Sequence, residues 1–178
     1  MKKIAFFLQK CLQNGKWVVI IKVQVVKSGR KWVINMFMGQ FLHNIDEKGR
    51  IIIPAKLREQ LSNSVVVTRG FDKCVALYSM EGFEKFQTSL LELPNTMQDA
   101  RKNIRVLVGS ASSQEFDKQG RINLPANLIK EASISKECVI VGVLDHIEIW
   151  GKEAWDAYYD DASSSLEEVA ENLSFIGK

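Results

Sequence analysis

Residues 46–59 read DEKGRIIIPAKLRE, and residues 117–130 read DKQGRINLPANLIK. Sliding the chain against itself by 71 positions superposes Asp46, Gly49, Arg50, Ile51, Pro54, Ala55 and Leu57 on Asp117, Gly120, Arg121, Ile122, Pro125, Ala126 and Leu128. With small shifts in spacing the parallel continues downstream. SVVVTRGFDKCVALYSMEGF from Ser64 matches ECVIVGVLDHIEIWGKEAW from Glu137: a β-branched run, a turn with Gly or Asp, a second short strand, then an acidic and aromatic helix start. Such a period is too long for a solenoid repeat, and two copies are too few, so the chain is a tandem pair of units.

Local chemistry gives each unit its order of elements. Asp-x-x-Gly suits a turn whose Asp side chain bonds the backbone and whose Gly takes positive φ. RIII and RINL leave the turn as strands. Pro54 and Pro125 fall where a helix can begin, with Leu57 and Leu61, or Leu128 and Ala132, four apart on its buried face. Each unit therefore reads as strand, turn, strand, short helix and hairpin. At about 43 residues a unit is close to the size where a lone core is marginal, so the two are expected to pack together.

The boundaries expected are an extension at 1–35, a first unit at 40–82, a helical connection at 83–110, a second unit at 111–154 and an acidic C-terminal helix at 155–178. The connection reads as two helices interrupted at Pro94, with Thr96 as N-cap and Asp99 three residues on. In the tail, Leu166, Val169, Ala170 and Leu173 fall on one helical face.

With 178 residues and 46% hydrophobic content the chain can bury a real core. Its three cysteines, Cys11, Cys74 and Cys138, are far apart and show no C-x-x-C spacing, which fits a reducing interior where buried cysteine acts as a small apolar residue. The only histidines are His43, read as a turn or surface residue, and His146. Neither has a nucleophile or metal-ligand pattern at an informative spacing, and no phosphate-cradling glycine motif is present. No catalytic, metal or cofactor site is expected, and no enzyme.

The formal net charge is +3, but residues 1–35 hold eight of the 24 basic residues and no acidic ones. Residues 36–151 carry 14 basic and 14 acidic residues, and the other seven acids lie between Glu153 and Glu171. Bulk charge alone does not mark a nucleic-acid binder. The head begins like a signal peptide, yet its apolar run IAFFL falls short of the roughly 7–15 residues required. WVVIIKVQVV is interrupted by Lys22 and falls short of the roughly 20 apolar residues of a membrane span. The head is expected to be neither secretory nor membrane-spanning. Two readings of it stand: a strand-forming arm through the β-branched residues from Val18 to Val26, or an upstream region translated from a mis-assigned start, with Met36 and Met38 as alternative starts.

MGQFLHNIDEKGRIIIPAKLRE, VVVTRGFDKC, DARKNIRVLVGSASSQEFDKQGRINLPANL and IVGVLDHIEIWGKEAWDAY together resemble the MraZ family of bacterial regulators, whose members carry two AbrB-like (SpoVT-AbrB) domains. The similarity runs from Met36 to about Tyr159, and the doubled D-x-x-x-R motif with its following Pro makes it specific. The resemblance implies an α+β, mainly β fold: two tandem AbrB-like β-barrel-type units packed as an internal pseudo-dimer, with connecting and C-terminal helices. It implies a sequence-specific DNA-binding transcriptional regulator without a cofactor, acting on promoter direct repeats with TGGG-like cores upstream of its own gene in the division and cell wall cluster. It also implies a ring-like homo-oligomer, cytoplasmic and nucleoid-associated. Family members begin near Met36, which favours the mis-start reading of the head.

Physically, an arginine just after a tight turn projects its planar five-donor fork toward a phosphate or toward guanine O6 and N7. Arg50 and Arg121 are the first candidates for DNA contact, and the family's role for the first D-x-x-x-R arginine carries over to Arg50. Lys48 adds a phosphate contact. In the second unit that position is Gln119 and the lysine moves to Lys118, so the second surface is expected to be the weaker. Asp46, Gly49, Asp117 and Gly120 support the turns; the competing reading is that the Asp–Arg pairs do nothing more than brace them. Lys56 and Arg58 are open between a solvated face and phosphate contact.

So few cations bind DNA weakly on their own, and a ring would supply avidity. The alternative function is an oligomeric protein-interaction module with DNA binding lost or secondary, which the acidic tail favours. A single-unit antitoxin-type regulator is disfavoured by the doubled unit. A further reading concerns KWV at 16–18 and again at 31–33, each encoded AAR-TGG-GTN: the head is then the operator read as protein, against chance recurrence of three residues.

Overall fold

The computed structural model describes the backbone of residues 3–13, 16–27, 30–33 and 36–176, and the side chains of 36–172. The chain divides into two units, Met1–Met36 and Phe37–Lys178. In the first, β1 (Lys3–Gln13), β2 (Lys16–Lys27) and β3 (Arg30–Val33) form an antiparallel sheet in sequence order. The β-branched run 18–26 lies inside β2. The side chains of Cys11 and of the two KWV segments lie outside the described residues.

In the second unit the repeated motif appears as two interleaved copies. The first runs β4 (Phe37–Asn44), β5 (Arg50–Ile52), α1 (Ala55–Arg58), β6 (Ser64–Arg69) and β7 (Val75–Ser79). Helices α2 (Met80–Leu91) and α3 (Gln98–Gly109) connect it to the second copy, β8 (Ser112–Glu115), β9 (Arg121–Asn123), α4 (Ala126–Glu131), β10 (Glu137–Leu144) and β11 (His146–Gly151). Two helices follow, α5 (Lys152–Ser164) and α6 (Leu166–Ile176).

Six strands form one antiparallel sheet in the order β4-β10-β11-β7-β6-β8, and β5 pairs with β9 as a separate ribbon. Exchanging the copies reverses this order and leaves it unchanged, so the chain contains an internal two-fold. Each copy's first strand lies on the other copy's hairpin: β4 on β10, and β8 on β6. The α+β, mainly β class and the internal pseudo-dimer are as expected. The β-barrel-type closure is not, because β4 and β8 remain the two open edges of the sheet. The reason lies in β5 and β9: each leaves a tight turn and satisfies its backbone groups across the two-fold, so those groups are not used to close either copy.

The period-two alternation of the strands explains the layers. Val65, Val67, Val75, Leu77, Cys138, Ile140, Ile147 and Ile149 face one side, where they join Ile51, Ile53, Leu57, Ile122, Leu124, Leu128 and Ala132 in one core. On the other side Val66, Ala76 and Tyr78 meet Phe83 and Phe86 of α2, while Val139 and Trp150 meet Trp155 of α5. Burying each large apolar side chain contributes about 1.5–3 kcal/mol. Cys74 and Cys138 are free and buried, and burial pushes both thiols up, Cys138 to about 11. They pack as apolar groups.

Pro54 and Pro125 occupy the N-cap positions of α1 and α4, and Leu57, Leu128 and Ala132 are buried as the spacing requires, with Leu61 packed at the core's edge. Thr96 does not cap α3. A turn from Pro94 to Met97 (N to O 3.0 Å) delays the helix, and Met97 becomes its N-cap without a side-chain bond. The expected tail helix is α6, with Leu166 and Val169 exposed and Leu173 outside the described side chains. Among the described residues no helix is long and apolar enough to cross a membrane.

Candidate nucleic-acid interface

The two D-x-x-x-R turns are built alike. Asp46 Oδ1 accepts from the backbone N–H of Lys48 and of Arg50, both at 2.9 Å. Its Oδ2 accepts from Arg50 Nε at 2.8 Å and Nη2 at 2.7 Å. Asp117 Oδ1 accepts from the N–H of Gln119 at 2.8 Å and of Arg121 at 2.9 Å, and its Oδ2 from Arg121 Nε at 2.7 Å. Gly49 and Gly120 both take φ +75°, where a Cβ would be strained. Each aspartate thus holds the turn and aims the arginine at once. Two of Arg50's five N–H donors are used on Asp46, leaving the others for a ligand.

The copies do not present these turns on two surfaces. In the ribbon Arg50 lies opposite Asn123, Ile51 opposite Ile122, and Ile52 opposite Arg121. Ile51 and Ile122 point into the core, so Arg50, Ile52, Arg121 and Asn123 share the outward face. Arg121 Nη1 comes within 4.0 Å of Asp46 Oδ2, linking one copy's arginine to the other's turn. The two arginines therefore lie on one composite ribbon and not on two separate surfaces, with Lys48 and Lys118 exposed on the flanking turns. The physical cause is the β5–β9 pairing, which local sequence does not encode.

Each turn is also clasped by the other copy. Leu124 N–H donates to Gly49 O at 2.8 Å, and Ile53 N–H donates to Gly120 O at 3.1 Å. Ile129 of α4 packs over Gly49, whereas the equivalent residue of α1, Arg58, lays its guanidinium over Gly120 and donates to Ile53 O at 3.3 Å and Gly120 O at 3.4 Å. Arg58 is thus partly buried over the second turn, with Nη1 engaged there; its only sequence signal was its place in the repeat. A Cβ on Gly120 would stand 1.6 Å from Arg58 Nη1, while one on Gly49 would meet Ile129 Cδ1 and Leu124 O at 3.2 Å. Gly120→Ala should therefore cost roughly 2–3 kcal/mol, the left-handed backbone penalty plus the displaced clasp. Gly49→Ala should cost a similar amount, since it carries the same backbone penalty and meets a backbone carbonyl that cannot swing away; thermal melts showing no loss for either variant would contradict the turn geometry.

The hydrogen bond from the Arg50 side chain holds the Asp46 carboxyl down at about 2, and the Arg121 backbone N–H holds Asp117 below the usual range. Both folded-state pKa values lie below the unfolded value near 4. For each, the stabilisation is present above the unfolded value and is lost as pH falls through the lowered folded value, which for Asp46 is about 2. Acid titration of the melting temperature should show this loss, and Asp46→Asn should shrink it; an unchanged acid limb would contradict the turn geometry.

Elsewhere, His43 lies half-buried on β4, where burial lowers its pKa. His146 Nδ1 is 2.7 Å from Asp145 Oδ1, and the ring stacks on Tyr78 at 5.0 Å. Burial opposes its charge, but hydrogen bonds to Glu148 and Asp145 outweigh it and raise the pKa. This is a structural cluster under α2. Among the described residues no group of His, Cys, Asp and Glu is arranged to hold a metal ion.

The two copies of the motif correspond to a known family. The model described as "MraZ protein, putative antitoxin-like" matches twice, over residues 36–106 and 107–174. The chain belongs to the MraZ family. It is 49% identical over 141 residues to the transcriptional regulator MraZ of Lactobacillus helveticus (strain DPC 4571), covering 79% of this chain and 99% of that protein. Identity to the transcriptional regulator MraZ of Lactobacillus delbrueckii subsp. bulgaricus (strain ATCC BAA-365 / Lb-18) is 50%, over the same length and shares. The two MraZ matches meet inside α3, the helix that joins the interleaved copies.

Proposed function

We propose that this MraZ-family protein is a sequence-specific DNA-binding transcriptional regulator that meets duplex DNA with the β5–β9 ribbon. The observation that carries the reading is the placement of Arg50 and Arg121, from opposite copies, on the outward face of one short ribbon. A two-stranded ribbon fits the major groove, where arginine forks match guanine and the flanking Lys48 and Lys118 reach phosphate. The names of the relatives support transcriptional regulation.

The finer reading is that the protein acts on direct repeats with TGGG-like cores upstream of its own gene, as a nucleoid-associated cytoplasmic ring. Its physical support is charge. Residues 36–151 carry equal numbers of acids and bases, so one ribbon neutralises few phosphates and binds weakly. Several ribbons in one ring gain effective concentration if their spacing matches the repeats. Footprinting the full-length protein on the DNA upstream of its gene should protect repeated boxes at regular spacing, and an oligomer-breaking variant that keeps Arg50 should lose most binding. Absence of protection there would overturn the reading.

One observation favours a second reading, a protein-interaction module. Helices α5 and α6 expose Tyr158, Tyr159, Leu166 and Val169 among acidic residues. Under that reading Arg50→Ala leaves function intact.

A further inference from the structure

Four side chains share the outward face of the ribbon, and the internal two-fold relates them in pairs. It exchanges Arg50 with Arg121, which are chemically the same, but Ile52 with Asn123, which are not. Ile52 is apolar and 43% exposed, although the core directly beneath is already filled by Ile51 and Ile122. Asn123 is exposed, and its amide makes no hydrogen bond to any described residue. Neither side chain is explained by packing. Both stand directly across the ribbon from an arginine, Ile52 from Arg121 and Asn123 from Arg50.

We infer that Ile52 and Asn123 are specificity-determining residues that read base edges, and that their difference lets the ribbon distinguish one orientation of a DNA site from the other. The inference rests on the ribbon being the DNA-facing surface. An asparagine amide pairs with adenine N6 and N7, and an aliphatic side chain contacts the thymine methyl group. The backbone of a duplex is itself two-fold symmetric, so a ribbon with identical halves meets the same chemistry when the site is turned end for end. Only positions that depart from the symmetry break this degeneracy. Lys48 against Gln119 departs from it on the flank, where phosphate contacts carry no sequence information directly. Ile52 against Asn123 departs from it at the centre, within reach of the bases.

The test selects duplexes from a random library with the full-length protein and with Asn123→Ala, Ile52→Asn and Arg50→Ala. Affinities are then measured at fixed salt for the duplex that the unaltered protein selects and for a random-sequence duplex. Asn123→Ala should lose about tenfold or more on the selected duplex and nothing on the random one. Ile52→Asn, which makes the ribbon's centre symmetric, should select sites closer to self-complementary. Both positions are exposed, and circular dichroism melts verify that each variant folds. Unchanged site preference in both variants, or an equal loss on both duplexes, would overturn the inference. Arg50→Ala separates the two levels: undiminished binding of that variant sinks the ribbon reading itself. Weak binding by Arg50→Ala together with an unaltered preference in Asn123→Ala sinks only the specificity.

Discussion

On the proposed reading, in which a ring presents several ribbons to the DNA upstream of the gene, Arg50→Ala is expected to reduce affinity for that DNA by at least about a hundredfold in a gel shift at fixed salt, because each lost contact is repeated in every ribbon engaged. Three losses combine. The fork that points outward from the ribbon is gone, the Asp46 carboxylate loses its closest cation and keeps only the 4.0 Å contact to Arg121 Nη1, and that less compensated charge then faces phosphate. The slope of log affinity against log salt should fall by about 0.9 for each phosphate contact removed. Folding should survive, since the turn keeps the bonds from the Lys48 and Arg50 backbone to Asp46 Oδ1, and Ile51 stays in the core. Arg50→Lys tests geometry against charge: it keeps the cation and loses the planar fork, so partial binding is expected. Undiminished binding by the folded alanine variant would move the DNA surface off the ribbon and favour the protein-interaction reading.

Leu57→Ala and Leu128→Ala should each cost roughly 2–5 kcal/mol, the range for truncating a fully buried leucine. The more informative result is how the loss appears. Leu57 and Leu128 belong to different copies of the motif yet sit in one continuous cluster, at 0% and 1% exposure. Residues 37–178 should therefore unfold in one cooperative step that both substitutions shift together, followed by calorimetry or denaturant titration at two probes. A first transition shifted by one substitution and a second shifted by the other would show that the copies fold independently, against the strand exchange.

Much of the turn was readable locally. Asp-x-x-Gly with a following arginine specifies its own hydrogen bonds over five residues, so the motif appears in three dimensions as its chemistry requires. The same holds for Leu57, Leu128 and Ala132, whose spacing selects a helix face. Arg58 was not readable. One of its two partners is the carbonyl of Gly120, 62 positions away, and nothing near residue 58 announces it. Ile52 looked like an ordinary strand residue until its neighbour Ile51 was seen to take the core. Thr96 failed as a cap because the turn from Pro94 starts the helix one residue later than propensity suggests.

By itself, then, the amino-acid sequence determined that this protein is a tandem repeat, what each copy is made of, and where its sharp turns and buried faces lie. These are set by interactions within a few residues: side chain to backbone, φ at glycine, and apolar periodicity. Only the tertiary structure decided that β4 pairs with β10, β6 with β8 and β5 with β9, and so that both arginines stand on one ribbon. Pairing within a copy and exchange between copies satisfy the same alternation of apolar and polar residues. The choice between them depends on which arrangement buries both half-sized cores at once, and that is a property of the whole chain.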